Sequence, residues 1–140
     1  MTPKIVDSEQ ANSGQLDQLD APAVVSVLLI EPDMATRQLY VRALRQHWAV
    51  SAVRTVAEAV TALQTGPAPR AIVIEPYAGE SQIDWQMLSQ LRTSTYKPLP
   101  IILCSTLDER GMGEAWGATR YLLKPVSPQQ LVAELSTVLM

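Results

Sequence analysis

The sequence predicts an α/β fold, a parallel sheet covered by helices on both faces, on three observations. Five short apolar runs, "VVSVLLI", "WAVSAV", "AIVI", "LPIILCS" and "TRYLLK", are spaced from Val24 to the C-terminal part of the chain. Their apolar continuity suits strands buried on both sides. The segments between them carry apolar residues every three or four positions, the period of an amphipathic helix. The alternation reads β-α-β-α, the order of a sheet wound with crossover helices.

Each element has its own signals. Residues 1–23 are rich in Gln, Asp, Ser and Asn with isolated Leu and Ile. Such a segment buries too little surface to offset its ordering entropy, so a flexible tail is expected. After the first strand, Tyr40, Ala43, Leu44 and His47 line one helical face. Thr55 and Glu58 have the spacing of a capping box that opens the second helix. Ala59, Val60 and Leu63 line its face, and Gly66-Pro67 ends it. Trp85 is expected to pack at the start of the third helix. The fourth helical segment, "TLDERGMGEAWGA", contains Gly111 and Gly113, each costing roughly 1 kcal/mol relative to Ala. It should be short, frayed or mobile. Ser127-Pro128-Gln129-Gln130 combines an N-cap with Pro at the first helical position. Leu131, Val132, Leu135, Val138 and Leu139 then form the apolar stripe of the last helix.

Composition narrows the function classes. A chain of 140 residues that is 47% hydrophobic supports one well-buried core and not two. We expect a tail, 1–23, and one domain, 24–140. The net charge is −3, and no run of Lys or Arg gives the basic footprint of a nucleic-acid binder. The single cysteine, Cys104, excludes an intramolecular disulfide. The N-terminus has no apolar signal core and no run reaches membrane-spanning length. The expectation is a soluble, cytoplasmic protein with neither nucleic-acid nor membrane partners.

The polar residues fall at the strand ends, where ligands collect in open α/β sheets. Glu31 and Asp33 follow the first strand, Glu75 closes the third, Ser105 closes the fourth, and Lys124, followed by Pro125, closes the fifth. Two of these ends share the tripeptide Ile-Glu-Pro. Carboxylates, a hydroxyl and an ammonium on one rim could hold a divalent cation and a phosphoryl group.

In "LLIEPD", "IVIEP", "PIILCST" and "GATRYLLKP" the region from about Val25 to Met140 resembles a response-regulator receiver domain of two-component signalling. That family pattern has an acidic pair after the first strand, an acceptor Asp after the third, Ser or Thr after the fourth and Lys-Pro after the fifth. The resemblance implies a flavodoxin-like, three-layer fold with strand order 2-1-3-4-5. It also implies a cis Lys124-Pro125 bond, and Ser105 and Tyr121 as switch residues. Two departures strike the chemistry: Glu75 replaces the acceptor Asp, and Pro32 replaces the second member of the acidic pair that begins with Glu31.

Phosphoryl transfer to a carboxylate depends on positioning and charge neutralisation. Glu adds a methylene, on the order of 1.5 Å, and a misplacement of about 1 Å can cost roughly a hundredfold. Phosphorylation of Glu75 should be very slow. Pro32 removes a ligand, so any Mg²⁺ held by Glu31 and Glu75 should be weak or absent, and no other cofactor is expected. Asp33 is a possible further acidic residue of the site, but its place favours an N-cap. Two readings of Glu75 stay open. It approaches Ser105 and Lys124 as a stand-in for phospho-Asp, or it is a solvated glutamate in a lapsed site. In a crevice open to water its pair with Lys124 would be worth about 0–1 kcal/mol.

The remaining residues have plainer readings. His47 sits where a cation favours the end of a helix. Cys104 reads as a buried small hydrophobe, and Trp116 as an exposed anchor for a partner or a packed aromatic. The whole reads as a stand-alone degenerate receiver, not an enzyme. It would act by contact with a kinase, scaffold or multi-domain regulator through the face of the fourth helix, fifth strand and fifth helix. A phosphorylatable phosphorelay receiver is the alternative. So is a small-ligand sensor, although the first turn, "EPDMATR", lacks the glycines a dinucleotide needs.

Overall fold

The computed structural model describes residues 26–76, 83–95 and 98–139. The expected tail, 1–23, lies outside them. Five strands, β1 (Val27–Ile30), β2 (Val50–Val53), β3 (Ala71–Ile74), β4 (Ile101–Ser105) and β5 (Arg120–Leu123), alternate with five helices. These are α1 (Met34–Leu44), α2 (Val56–Thr65), α3 (Trp85–Thr93), α4 (Arg110–Trp116) and α5 (Pro128–Val138). The strands pair in parallel in the spatial order β2-β1-β3-β4-β5.

The strands are buried on both sides because successive side chains point to opposite faces and each face meets helices. Val27, Leu29, Ala71, Val73, Ile102 and Cys104 pack with Tyr40 and Leu44 of α1 and Leu131 and Leu135 of α5. Leu28, Ile30, Ile72, Ile74, Ile101 and Leu103 pack with Val56, Ala59 and Leu63 of α2 and Leu88 and Leu91 of α3. Three layers result, with the sheet in the middle.

The helix starts follow the local sequence. Thr55 accepts from the Glu58 amide while Glu58 returns to the Thr55 amide, closing the capping box. Ser127 accepts from Gln130 at 3.0 Å, with Pro128 in the first turn of α5. Asp84 caps α3 through the Met87 amide at 3.2 Å.

Two expectations need correction. His47 is not on the α1 face: the helix ends at Leu44, and His47 is exposed in the following turn, tilted against Trp48 with ring centroids 5.4 Å apart. Gly113, expected only as a cost to α4, has a packing reason. A Cβ there would lie 2.5 Å from Tyr121 Cδ2, so its absence lets helix and strand approach. Gly111 has nothing within 4 Å of such a Cβ. The helix is short, seven residues, and ends at Gly117 in the left-handed region, φ 105°.

Candidate functional site

The two Ile-Glu-Pro ends meet because β1 and β3 pair in register. Ile30 stands opposite Ile74, and the Glu75 amide donates to the Ile30 carbonyl at 2.9 Å. The next residue of each strand, Glu31 and Glu75, is therefore placed side by side at the same rim. Strand alternation gives both the parity of Leu29 and Val73, toward α1 and α5, and gives Lys124 the same parity through Leu122. The three charged groups converge on one side of the sheet.

Lys124 Nζ lies 2.7 Å from Glu31 Oε1 and 3.0 Å from Glu75 Oε1. Little of the site reaches water: side-chain exposure is 13% for Lys124, 4% for Glu31 and 6% for Glu75. This overturns the expectation of a water-open pair, and of the two readings left open for Glu75 it disfavours the solvated one. Burial pulls the lysine pKa down, but hydrogen bonds to Glu31 and Glu75 outweigh it and hold the pKa above the ordinary value. The Lys124-Pro125 bond is cis.

Glu31 is fixed on its other side. Its Oε2 accepts from the Asp33 amide at 3.1 Å, and its carbonyl accepts from Arg37 Nη1 at 2.9 Å. Asp33 turns away to cap α1, accepting from the Thr36 amide at 2.9 Å and the Thr36 hydroxyl at 2.7 Å. The Thr36 hydroxyl bond, with the amide bond, lowers its pKa. Pro32 is exposed and offers no side-chain ligand.

The donor set does not fit Mg²⁺, which needs near-octahedral oxygen coordination. The place of a cation between Glu31 and Glu75 is taken by an ammonium, and the third carboxylate is committed to a helix cap. Among the described residues no group of three His, Cys, Asp or Glu side chains is placed to hold a metal.

Ser105 is fully buried, and its Oγ accepts from the Leu107 amide at 3.1 Å. Tyr121 lies beside it: its hydroxyl donates to the Leu107 carbonyl and accepts from the Glu109 amide at 3.2 Å. The tyrosine ring packs on Gly113 and Leu103 and pins the β4–α4 loop. Burial raises its pKa.

Trp116 is not an exposed anchor. It packs on Trp85 with ring centroids 6.1 Å apart, lies under the Arg92 guanidinium at 3.8 Å, and donates from Nε1 to Ser89 Oγ at 3.3 Å. Sequence reasoning missed Arg37 and gave Tyr40 only a place on the apolar face of α1. Arg37 clamps the Glu31 carbonyl, and Tyr40 donates its buried hydroxyl to the Val126 carbonyl at 2.9 Å, tying α1 to the turn after Pro125. Burial raises the pKa of Tyr40 and lifts that of the neighbouring Cys104 to about 11. Neither residue carries a motif signal, since the contacts span distant segments or reach a main-chain oxygen.

Neither the comparison with protein-family profiles nor that with curated proteins finds a match. Solved structures do match. The chemotaxis response regulator CheY4 of Vibrio cholerae superposes with a TM-score of 0.70 at 24% identity, over 82% of this chain and 98% of that one. The receiver domain of the Francisella response regulator 1452 gives 0.70 at 22% identity, over 82% and 96%. A structure described as adenylate cyclase from Rhodopirellula baltica gives 0.72 at 14% identity, over 83% and 87%. Likeness at these identities carries the fold and not the activity. With its strand order 2-1-3-4-5 and its helices on both faces, the chain has the flavodoxin-like fold of response-regulator receiver domains.

Proposed function

We propose that this chain is an atypical receiver of two-component or phosphorelay-type signalling that acts by binding other proteins and no longer takes phosphate at the acceptor position, Glu75. One observation carries the reading. The ammonium of Lys124, the group on this rim suited to a phosphoryl oxygen, is shared between Glu75 and Glu31 at 3.0 and 2.7 Å. Among the described residues two carboxylates already share that ammonium, and a phosphoryl group would bring about −1.5 to −2 more charge to compete for it. Phosphate entry would have to pull Glu75 off the lysine in a largely buried site, where breaking an ion pair is costly.

Glu75 supplies on its own the contact to Lys124 that its longer side chain permits. That favours the stand-in for phospho-Asp over an inert glutamate, with the Tyr121 hydroxyl held in the β4–α4 loop as one fixed signalling state. The contact surface in this reading is the α4-β5-α5 face. Met112 and Leu123 are exposed there, 53% and 39%, and a groove of about 280 Å³ is lined by Arg110, Glu114, Arg120 and Tyr121. Its partners are other signalling proteins, a kinase, scaffold or multi-domain regulator, met in the cytoplasm. No turnover is assigned to it, and no helix among the described residues is long and apolar enough to cross a membrane.

The test is intact-protein mass after incubation with a small-molecule phosphodonor and Mg²⁺. The expected result is an unchanged mass. A stoichiometric phosphoryl group on Glu75 would support the phosphorylatable alternative and overturn this reading.

A further inference from the structure

The charge of this chain is unevenly divided. Residues 1–25 hold Asp7, Glu9, Asp17 and Asp20 against Lys4 alone, which accounts for the whole net charge of −3, so the rest of the chain is neutral. Within the folded part, however, α1 carries a basic stripe. A groove of about 600 Å³ between α1 and the edge strand β2 is lined by Arg37, Gln38, Val41, Arg42, Arg45 and Ala52. Arg42 and Arg45 are exposed and make no ion pair among the described residues. The groove thus has an apolar floor, Val41 and Ala52, and cationic walls.

The chain itself contains a complementary sequence. Residues 15–20 read Gln-Leu-Asp-Gln-Leu-Asp, an apolar residue followed by a carboxylate, twice. The tether is also short enough to reach. Ser26, where the described chain begins, donates to the Ala49 carbonyl at 2.9 Å, and Ala49 follows closely on Arg45 at the C-terminal end of α1. Six residues from Asp20 to Ser26 can span at most about 20 Å. The eleven-residue α1 is about 16 Å long. A tether of that length gives an effective concentration in the millimolar range.

We infer that residues 15–20 dock on the α1–β2 groove of their own chain, with Leu16 and Leu19 against Val41 and Ala52 and with Asp17 and Asp20 paired to Arg42 and Arg45. A polar segment with no core of its own orders only by borrowing surface from the domain. This groove supplies both the apolar and the charged half of what the repeat presents. Docking there would cover α1 and leave the α4-β5-α5 face open, so it does not depend on the function proposed above.

The test attaches a nitroxide to the full-length chain at Gln18→Cys, since buried Cys104 is shielded from labelling, and reads paramagnetic broadening of backbone amides. At low salt the amides of Arg42, Arg45 and Ala52 should broaden at least threefold more than those of Gly111 and Met112 in α4. The difference should vanish in 1 M salt, where the screening length falls to about 3 Å. It should also vanish in Arg42→Glu/Arg45→Glu and return when Asp17→Arg/Asp20→Arg is added. Equal broadening of α1 and α4 overturns the inference, as does α1 broadening that survives charge reversal. Broadening of an unlabelled, isotope-enriched chain by a spin-labelled second chain also overturns it, because the contact is then between copies or with an external acidic partner's site. The salt series on the chain with native arginines decides the matter even if a reversed variant fails to fold.

Discussion

Lys124 places one ammonium between two buried carboxylates, 2.7 Å from Glu31 and 3.0 Å from Glu75. Its energetics follow from burial. Lys124→Met leaves two carboxylates facing each other without a cation and should cost about 3–5 kcal/mol. Glu75→Gln keeps an oxygen acceptor and leaves the Lys124–Glu31 pair intact, so about 1–2 kcal/mol is expected. Urea denaturation of the two variants should give that order. Equal, near-zero costs would mean that the rim is solvated.

The same ammonium predicts an alkaline dependence. The carboxylates hold its pKa above the ordinary 10.5 despite burial. The stability it contributes is therefore complete below the unfolded lysine's pKa of about 10.4 and is lost as pH rises through the higher folded value. The gap in urea midpoint between wild type and Lys124→Met should be constant at pH 8–9.5 and narrow above that range. A gap that stays constant or widens to pH 11.5 contradicts the pairing.

The two glycines of α4 should respond in opposite directions. Gly111→Ala fills open space and should stabilise by roughly 0.5–1 kcal/mol through helix propensity. Gly113→Ala meets the Tyr121 ring at 2.5 Å and should destabilise by about 1–3 kcal/mol through overpacking. Thermal melts of the two variants check this, and a stabilising Gly113→Ala would contradict the α4–β5 packing.

Cys104 should behave as a core residue and not as a nucleophile. It is 1% exposed, and burial lifts its thiol pKa to about 11. At pH 8 about a thousandth of such a thiol is ionised, against roughly a quarter for a free one of pKa ~8.5. Alkylation of the folded protein should be at least ~100-fold slower than in urea. Equal rates would place Cys104 at the surface.

Much of the fold was legible because it rests on local signals. The "AIVI" run matches β3 residue for residue, and the caps at Thr55 and Ser127 form as their spacing predicts. The approach of the two Ile-Glu-Pro ends was legible too, since strand ends in a parallel sheet share one rim. What failed was tertiary. Gly113 looked like a helix weakness because its reason, the Tyr121 ring, belongs to another element. Trp116 stayed open between an anchor and a packed aromatic because Trp85, Ser89 and Arg92 are far away in sequence. The burial of the Glu75–Lys124 pair could not be read from residue types, which say that charges meet but not whether water reaches them.

If Glu75 and Pro32 together account for the loss of phosphorylation proposed for this rim, repairing both should restore it. Phosphodonor labelling by intact mass, with Mg²⁺ titration, is measured on wild type, Glu75→Asp, Pro32→Asp and the double variant. Glu75→Asp restores acceptor length and frees Lys124 of its second partner, but leaves the metal pair broken. Pro32→Asp restores the pair but leaves Glu75 on the lysine. Each single variant should stay near the wild-type level, while the double gains Mg²⁺ affinity and label together, the non-additive result expected of residues sharing one metal and one phosphoryl group. A correctly folded double variant that binds no Mg²⁺ and takes no label, or a wild type already labelled on Glu75, contradicts the account.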